Sequence, residues 1–222
     1  MQAGGEIPAG MGLIMLIKLT EYDKAMCTLF AREAVRAHTH QEIEFGNRAR
    51  AARNPERMYE DIFTGKLAEM AVAHHLYRAH GIKIATNFEQ IPQGDCDNED
   101  LTVNGWRLDI KCTRKGRWLL FERGKAEYRR RSQTAPDLVI ACKVQGEDSV
   151  DIVGGISYKH LTNPDGRRVR FFRKGEALPG TGTALKADNY AVPFDRLGNP
   201  ATIFDFTAKH RKGERWQKNS TA

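Results

Sequence analysis

Glu99-Asp100-Leu101-Thr102-Val103-Asn104-Gly105-Trp106-Arg107-Leu108-Asp109-Ile110-Lys111-Cys112-Thr113 is the stretch that decides the fold. Apolar and polar residues alternate on both sides of Asn104-Gly105, and Asn-Gly is the strongest short-range signal for a two-residue type I′ hairpin. The register follows by counting: Val103 faces Trp106, Thr102 faces Arg107, Leu101 faces Leu108, and Asp100 falls opposite Asp109. A period of two then puts Asp109 and Lys111 on one face, with Leu108, Ile110 and Cys112 on the other.

Carboxylates directly opposite each other on neighbouring strands repel, so a purely structural hairpin gains nothing from Asp100 and Asp109. A divalent cation turns that repulsion into a site, because Mg²⁺ takes oxygen ligands, typically one or two carboxylates plus a substrate phosphate. Lys111, next along the same face, would hold a phosphate oxygen or orient or deprotonate a water. A solvated face with scattered charges is the competing reading of the same residues. If the turn is longer than two residues, Asp97 or Asp95 replaces Asp100.

Upstream, the polar Arg48–Arg57 region with Asn54-Pro55 reads as a loop into a second helix, from about Met58 to Ala79 with Gly81 as its stop. With Ile62 as reference, Met70, Ala73, Leu76 and Tyr77 fall within roughly 80° on a helical wheel, and Glu69 lies about 20° from the centre of that stripe. A carboxylate there needs a partner, because an unpaired buried charge is costly. Lys66, three residues earlier, is one candidate; a metal shared with Asp100 and Asp109 is the other.

These residues resemble the PD-(D/E)XK nuclease superfamily, whose pattern is an acid at the start of one strand, a hairpin, then (D/E)-x-K on the next strand and a small polar residue. Asp100, Asp109-Ile110-Lys111 and Thr113 match; the proline of the pattern is missing before Asp100. The resemblance covers about Met58 to Val153. It implies an α/β fold with a central mixed sheet flanked by helices, and a Mg²⁺-dependent hydrolase acting on DNA phosphodiesters, with Mn²⁺ as a substitute metal. Asp100 and Asp109 would hold the ion with the Ile110 carbonyl and Glu69, Lys111 would position or activate the attacking water, and a homodimer would cut both strands.

The remainder of the chain fits around that core. Its 222 residues carry a formal charge of +7 and a pI of about 9.3, which favours polyanionic partners. The basic run after Thr113, comprising Arg114, Lys115, Arg117, Arg129, Arg130 and Arg131, reads as phosphate-neutralising. Cys27, Cys96, Cys112 and Cys142 include no C-x-x-C pair, which suits free thiols in a reducing cytoplasm rather than zinc or disulfides. The apolar run Leu13–Leu19 is too short to span a bilayer, and no Walker or G-x-G-x-x-G loop suggests a nucleoside triphosphate.

Thr20 and Asp23 form a capping pattern ahead of a first helix from about Glu21 to Thr39. The pairs His74-His75 and His38/His40 lack partners at metal-site spacing and read as surface or core-edge residues. Ile82–Ala85 is a weak strand candidate. Trp118–Phe121, Leu138–Val144 and Val150–Ile156 are expected to complete the central sheet. In 167–174, arginines and lysines interleave with Phe171 and Phe172, which suits either base stacking and phosphate contact or an exposed strand. The expected organisation is a 1–57 extension with a helix, a 58–160 core and a basic 161–222 extension ending in the tail Lys209–Lys218, all within one compact domain. Besides a nuclease, the sequence admits a catalytically silent nucleic-acid-binding subunit of the same fold, or the same chemistry on RNA.

Overall fold

Asn104 at φ 48° and Gly105 at φ 82° both occupy the left-handed region, the pair of conformations a type I′ turn requires. The strands they join, β2 (Leu101–Val103) and β3 (Trp106–Thr113), pair in the counted register, with Leu101 opposite Leu108, Thr102 opposite Arg107 and Val103 opposite Trp106. The computed structural model describes residues 14–44, 54–88, 100–182 and 184–211. Asp95, Asp97, Glu99, the start of the chain and most of the basic tail lie outside the described residues, as do the side chains of His38 and His40.

Around the hairpin the chain builds a five-stranded mixed sheet in the order β1 (Met15–Lys18), β6 (Ser149–Ser157), β5 (Leu138–Gln145), β3, β2. Only β3 and β5 run parallel, which requires a crossover between them. That crossover carries β4 (Trp118–Glu122) and α3 (Arg123–Arg131). The expectation that Trp118–Phe121 joins the central sheet is not met: β4 pairs with β8 (Asn189–Pro193), which pairs with β7 (Arg170–Phe172), in a separate three-stranded antiparallel sheet. The edges of β3 are already taken by β5 and by the β2 end of the hairpin, so β4 finds its partner in the C-terminal third. Ile82–Ala85 forms no strand; Ile82, Ile84 and Phe88 instead lay their side chains on the core.

One layer on the sheet is made by α1 (Glu21–Glu44), α2 (Pro55–His80) and α5 (Pro200–Lys209). Asn54 caps α2 by accepting the N–H groups of Glu56 and Arg57, and Gly81 ends it at φ 67°, the left-handed conformation that costs glycine least. Leu67, Ala68, Ala71, Val72 and Leu76 are fully buried against Leu108, Ile140, Cys142 and Ile152 of the sheet, while Tyr77 is 61% exposed. The buried arc is therefore centred on Ala68 and Val72 rather than on Ile62, which moves Tyr77 off it. The opposite face of the sheet meets a second core of Leu119, Phe121, Ala126, Val139, Ala141, Ile156 and Leu161, under α3, β4 and the short helix α4 (Tyr158–Leu161).

Thr20 and Asp23 form the expected reciprocal cap on α1. The Thr20 N–H donates to Asp23 Oδ2 at 2.8 Å and the Asp23 N–H donates to Thr20 Oγ1 at 3.2 Å. Burial pushes the Asp23 carboxyl up, but the Thr20 N–H and hydroxyl and the His74 ring outweigh it and hold its pKa below the ordinary 3.8. A depressed folded-state value stabilises the fold fully above the unfolded pKa, and that contribution is lost as pH falls through the folded one. Asp23→Asn is expected to flatten the acid limb of the stability profile below about pH 4, read from urea midpoints across that range.

Candidate functional site

Alternation along β3 sends Leu108 and Ile110 into the α2 core, and sends Asp109 and Lys111 to the face where their parallel neighbours Val139 and Ala141 meet Phe121 and Ala126. Asp109 is fully buried there. Its Oδ1 accepts a hydrogen bond from the Arg129 guanidinium on α3, and Lys111 Nζ lies 2.5 Å from its Oδ2. That second contact is an ion pair by distance, although its hydrogen-bond geometry is poor. The Phe121 ring lies beside both cations, 5.4 Å from Lys111 Nζ and 5.9 Å from Arg129 Cζ. Tyr158 packs edge-on against Phe121 and donates its hydroxyl hydrogen to the Ala126 carbonyl at 2.7 Å. Lys111, with 34% of its side chain exposed, is the member of this group that reaches solvent.

The other expected members are held elsewhere. Asp100 lies one residue beyond the last ladder pair; its N–H donates to the Leu108 carbonyl at 3.0 Å and its carboxylate accepts the N–H of Ile110. The carboxylate thus stands where a further backbone acceptor of β2 would have stood, and it is felt by Cys142 on the α2 face, whose thiol is pushed up chiefly by burial. Ile110 itself pairs with Ile140 and buries its side chain toward α2.

Glu69 is not brought to Asp109. It is 7% exposed and pairs with Lys66 at 2.6 Å, the first of the two partners considered for it, and Lys66 Nζ sits 4.9 Å from the centre of the Phe30 ring on α1. The sheet lies between the α1–α2 layer that holds this pair and the face that carries Asp109 and Lys111. The neighbouring Cys27 thiol is pushed up to about 12, first by burial and then by Glu69.

Of the basic residues, Arg129 turns inward to Asp109 and is 9% exposed, so it belongs to this pocket rather than to a surface track. Arg114 pairs with Glu60 at 3.2 Å and donates to the Gly146 carbonyl at 2.9 Å. Lys115, Arg117, Arg130 and Arg131 are exposed. Arg129 is the partner that charge counting alone misassigned; its spacing of three from the buried Ala126 was the signal that it shares the inner face of α3.

Among the described residues, no group of three or more His, Cys, Asp or Glu side chains is placed to hold a metal ion. A carboxylate oxygen such as Asp109 Oδ2 suits an ion that takes one or two carboxylates and fills its shell from water and phosphate. An ion at Oδ2 would displace the Lys111 ammonium, freeing it to face a phosphate.

Removing one member of a buried ion pair leaves the other uncompensated, at about 3–5 kcal/mol. Arg129→Ala is therefore expected to destabilise the fold by about that amount, and adding Asp109→Asn to recover part of it, as measured by denaturant unfolding of both variants. No protein-family model and no curated protein matches this chain.

Proposed function

We propose that the chain is a Mg²⁺-dependent nuclease that hydrolyses phosphodiester bonds in DNA, with its chemistry at Asp109 and Lys111 beside Asp100. The observation that carries this reading is a wholly buried Asp109 held between the Arg129 guanidinium and the ammonium of Lys111, which reaches solvent. A buried carboxylate paired in this way contributes little net stability in a merely structural role. Where a cation and a phosphate meet, it is an asset. A bound Mg²⁺ would supply charge neutralisation at the scissile phosphate.

The chain's own residues divide the remaining work. Asp109 is fixed by Arg129 on Oδ1, and its Oδ2 faces the Lys111 ammonium. Lys111, partly exposed and next to a carboxylate, serves as a cationic donor to phosphate or to the attacking water rather than as a base. Phe121 and Tyr158 pack apolar surface around the charges, which strengthens each charge interaction there. Lys115, Arg117, Arg130 and Arg131 are exposed and suit contacts to the DNA backbone.

One observation favours a second reading, a nucleic-acid-binding subunit without chemistry: Asp109 has no solvent exposure and is already neutralised by two cations. Plasmid incubation with Mg²⁺ or Mn²⁺ separates the two. Cleavage is expected with either metal, is expected to stop in EDTA, and is expected to fall about a hundredfold or more in Asp109→Asn and Lys111→Met. Glu69→Gln is expected to keep activity, since Glu69 is paired on the other side of the sheet. An intact plasmid in both metals, with DNA binding retained, supports the silent subunit.

A further inference from the structure

The outer face of the small sheet, with Trp118, Leu120 and Ala191, belongs to neither of the two buried cores, and its composition is unlike that of a solvated surface. Period two along β4 turns Leu119 and Phe121 inward and Trp118 and Leu120 outward. The register β4–β8–β7 places Leu120, Ala191 and Arg170 in one row across that outer face, and Glu122, Asn189 and Phe172 in the next. Trp118 and Phe172 lean together over the sheet, ring centres 5.9 Å apart at 82°, and Ala191 beneath them is fully covered. Both rings remain partly exposed. Against β7 lies a shallow, open depression lined by Gly166, Arg170, Phe171, Phe172, Glu176 and Ala177.

The β7 loop carries acids whose carboxylates are engaged by backbone N–H groups, while Glu122 of β4 is exposed on the same face. Asp165 spends Oδ1 on the N–H groups of Arg167, Arg168 and Val169, Glu176 accepts the Arg173 N–H at 2.7 Å, and Asp188 accepts the Lys174 N–H at 2.9 Å. The acids thus shape the loop backbone, while Arg167, Arg170, Arg173 and Lys174 are exposed around the aromatic pair. Aromatic rings ringed by cations match a polyanion with flat faces, and a single strand offers unpaired bases to stack where a duplex hides them.

We propose that the outer face of the β4–β8–β7 sheet is a docking platform for single-stranded DNA, with Trp118 and Phe172 stacking unpaired bases and Arg170 and its neighbours contacting phosphates. The proposal rests on nucleic acid being the partner of this chain, as in the function proposed above, but not on cleavage.

The test measures binding in EDTA, where cleavage plays no part: fluorescence anisotropy of a labelled oligothymidylate single strand and of a duplex of equal length. Trp118→Ala and Phe172→Ala are expected to weaken single-strand binding about tenfold each, with duplex binding changed less than about twofold. Arg170→Glu, on an exposed side chain, supplies the variant that leaves packing alone and is expected to act in the same direction. Single-strand affinity unchanged in Phe172→Ala and Arg170→Glu overturns the platform, as does an equal loss for single strand and duplex. Because EDTA removes metal chemistry, a chain that cleaves nothing can still pass this test, and a nuclease can fail it.

Discussion

The interaction on which the rest of the structure depends is the pairing of Asp109 with Arg129 inside the crossover that joins two parallel strands. A parallel pair such as β3 and β5 must be joined by a crossover segment, and α3 together with β4 supplies it. The helix would otherwise rest on that face through little more than Ala126, since it is rich in arginine. The buried carboxylate on β3 gives it a fixed point, and Phe121 and Tyr158 close around the contact. The second core grows outward from there, through Val139 and Ala141 to the small sheet. Isolated buried ion pairs contribute little net stability, so specificity of placement is the better account of this one.

The hairpin was legible in the sequence to the residue, because Asn104-Gly105 fixes a turn and a turn fixes a register. Two helix ends were legible for the same kind of reason, since Gly81 and the Thr20/Asp23 cap act through local hydrogen bonds, whereas α2 starts at Pro55 under an Asn54 cap, ahead of the expected Met58, and α1 runs on past Thr39 to Glu44. What local chemistry cannot supply is the identity of a distant partner. Trp118–Phe121 reads as a strand from its residues alone, but its neighbour lies some seventy residues later in sequence, in β8. The tip of the hairpin shows the same limit: Asn104 donates to the carbonyls of Thr207 and Ala208, and Trp106 to that of His210, so the end of α5 is tied to a turn a hundred residues away.

The candidate site divides along the same line. That Asp109 and Lys111 share a face follows from strand periodicity and holds in the structure. Glu69 was placed by a helical wheel, which gives an angle around an axis but not the layer the axis occupies. A carboxylate central to a buried stripe satisfies itself with the nearest cation, and Lys66 sits one turn away on the same helix. Asp100 illustrates a finer point. Counting places it opposite Asp109, yet an aspartate at a strand end has a backbone donor within reach, and the Ile110 N–H captures it.

One strand links the pocket to the platform. Along β4, residues of one parity wall the Asp109 pocket and residues of the other face outward, so Phe121 touches the cations of the site while Trp118 and Leu120 belong to the outer surface. The turn that precedes β4 is closed by the Gly116 N–H on Thr113 Oγ1, and a Cβ at Gly116 would meet that same oxygen at 2.9 Å. This turn carries Lys115 and Arg117 and follows directly on the strand that ends beyond Lys111. The small sheet therefore ties a strand of the middle third, β4, to two strands of the C-terminal third, β8 and β7, and one strand serves both the buried cluster around Asp109 and the outer surface.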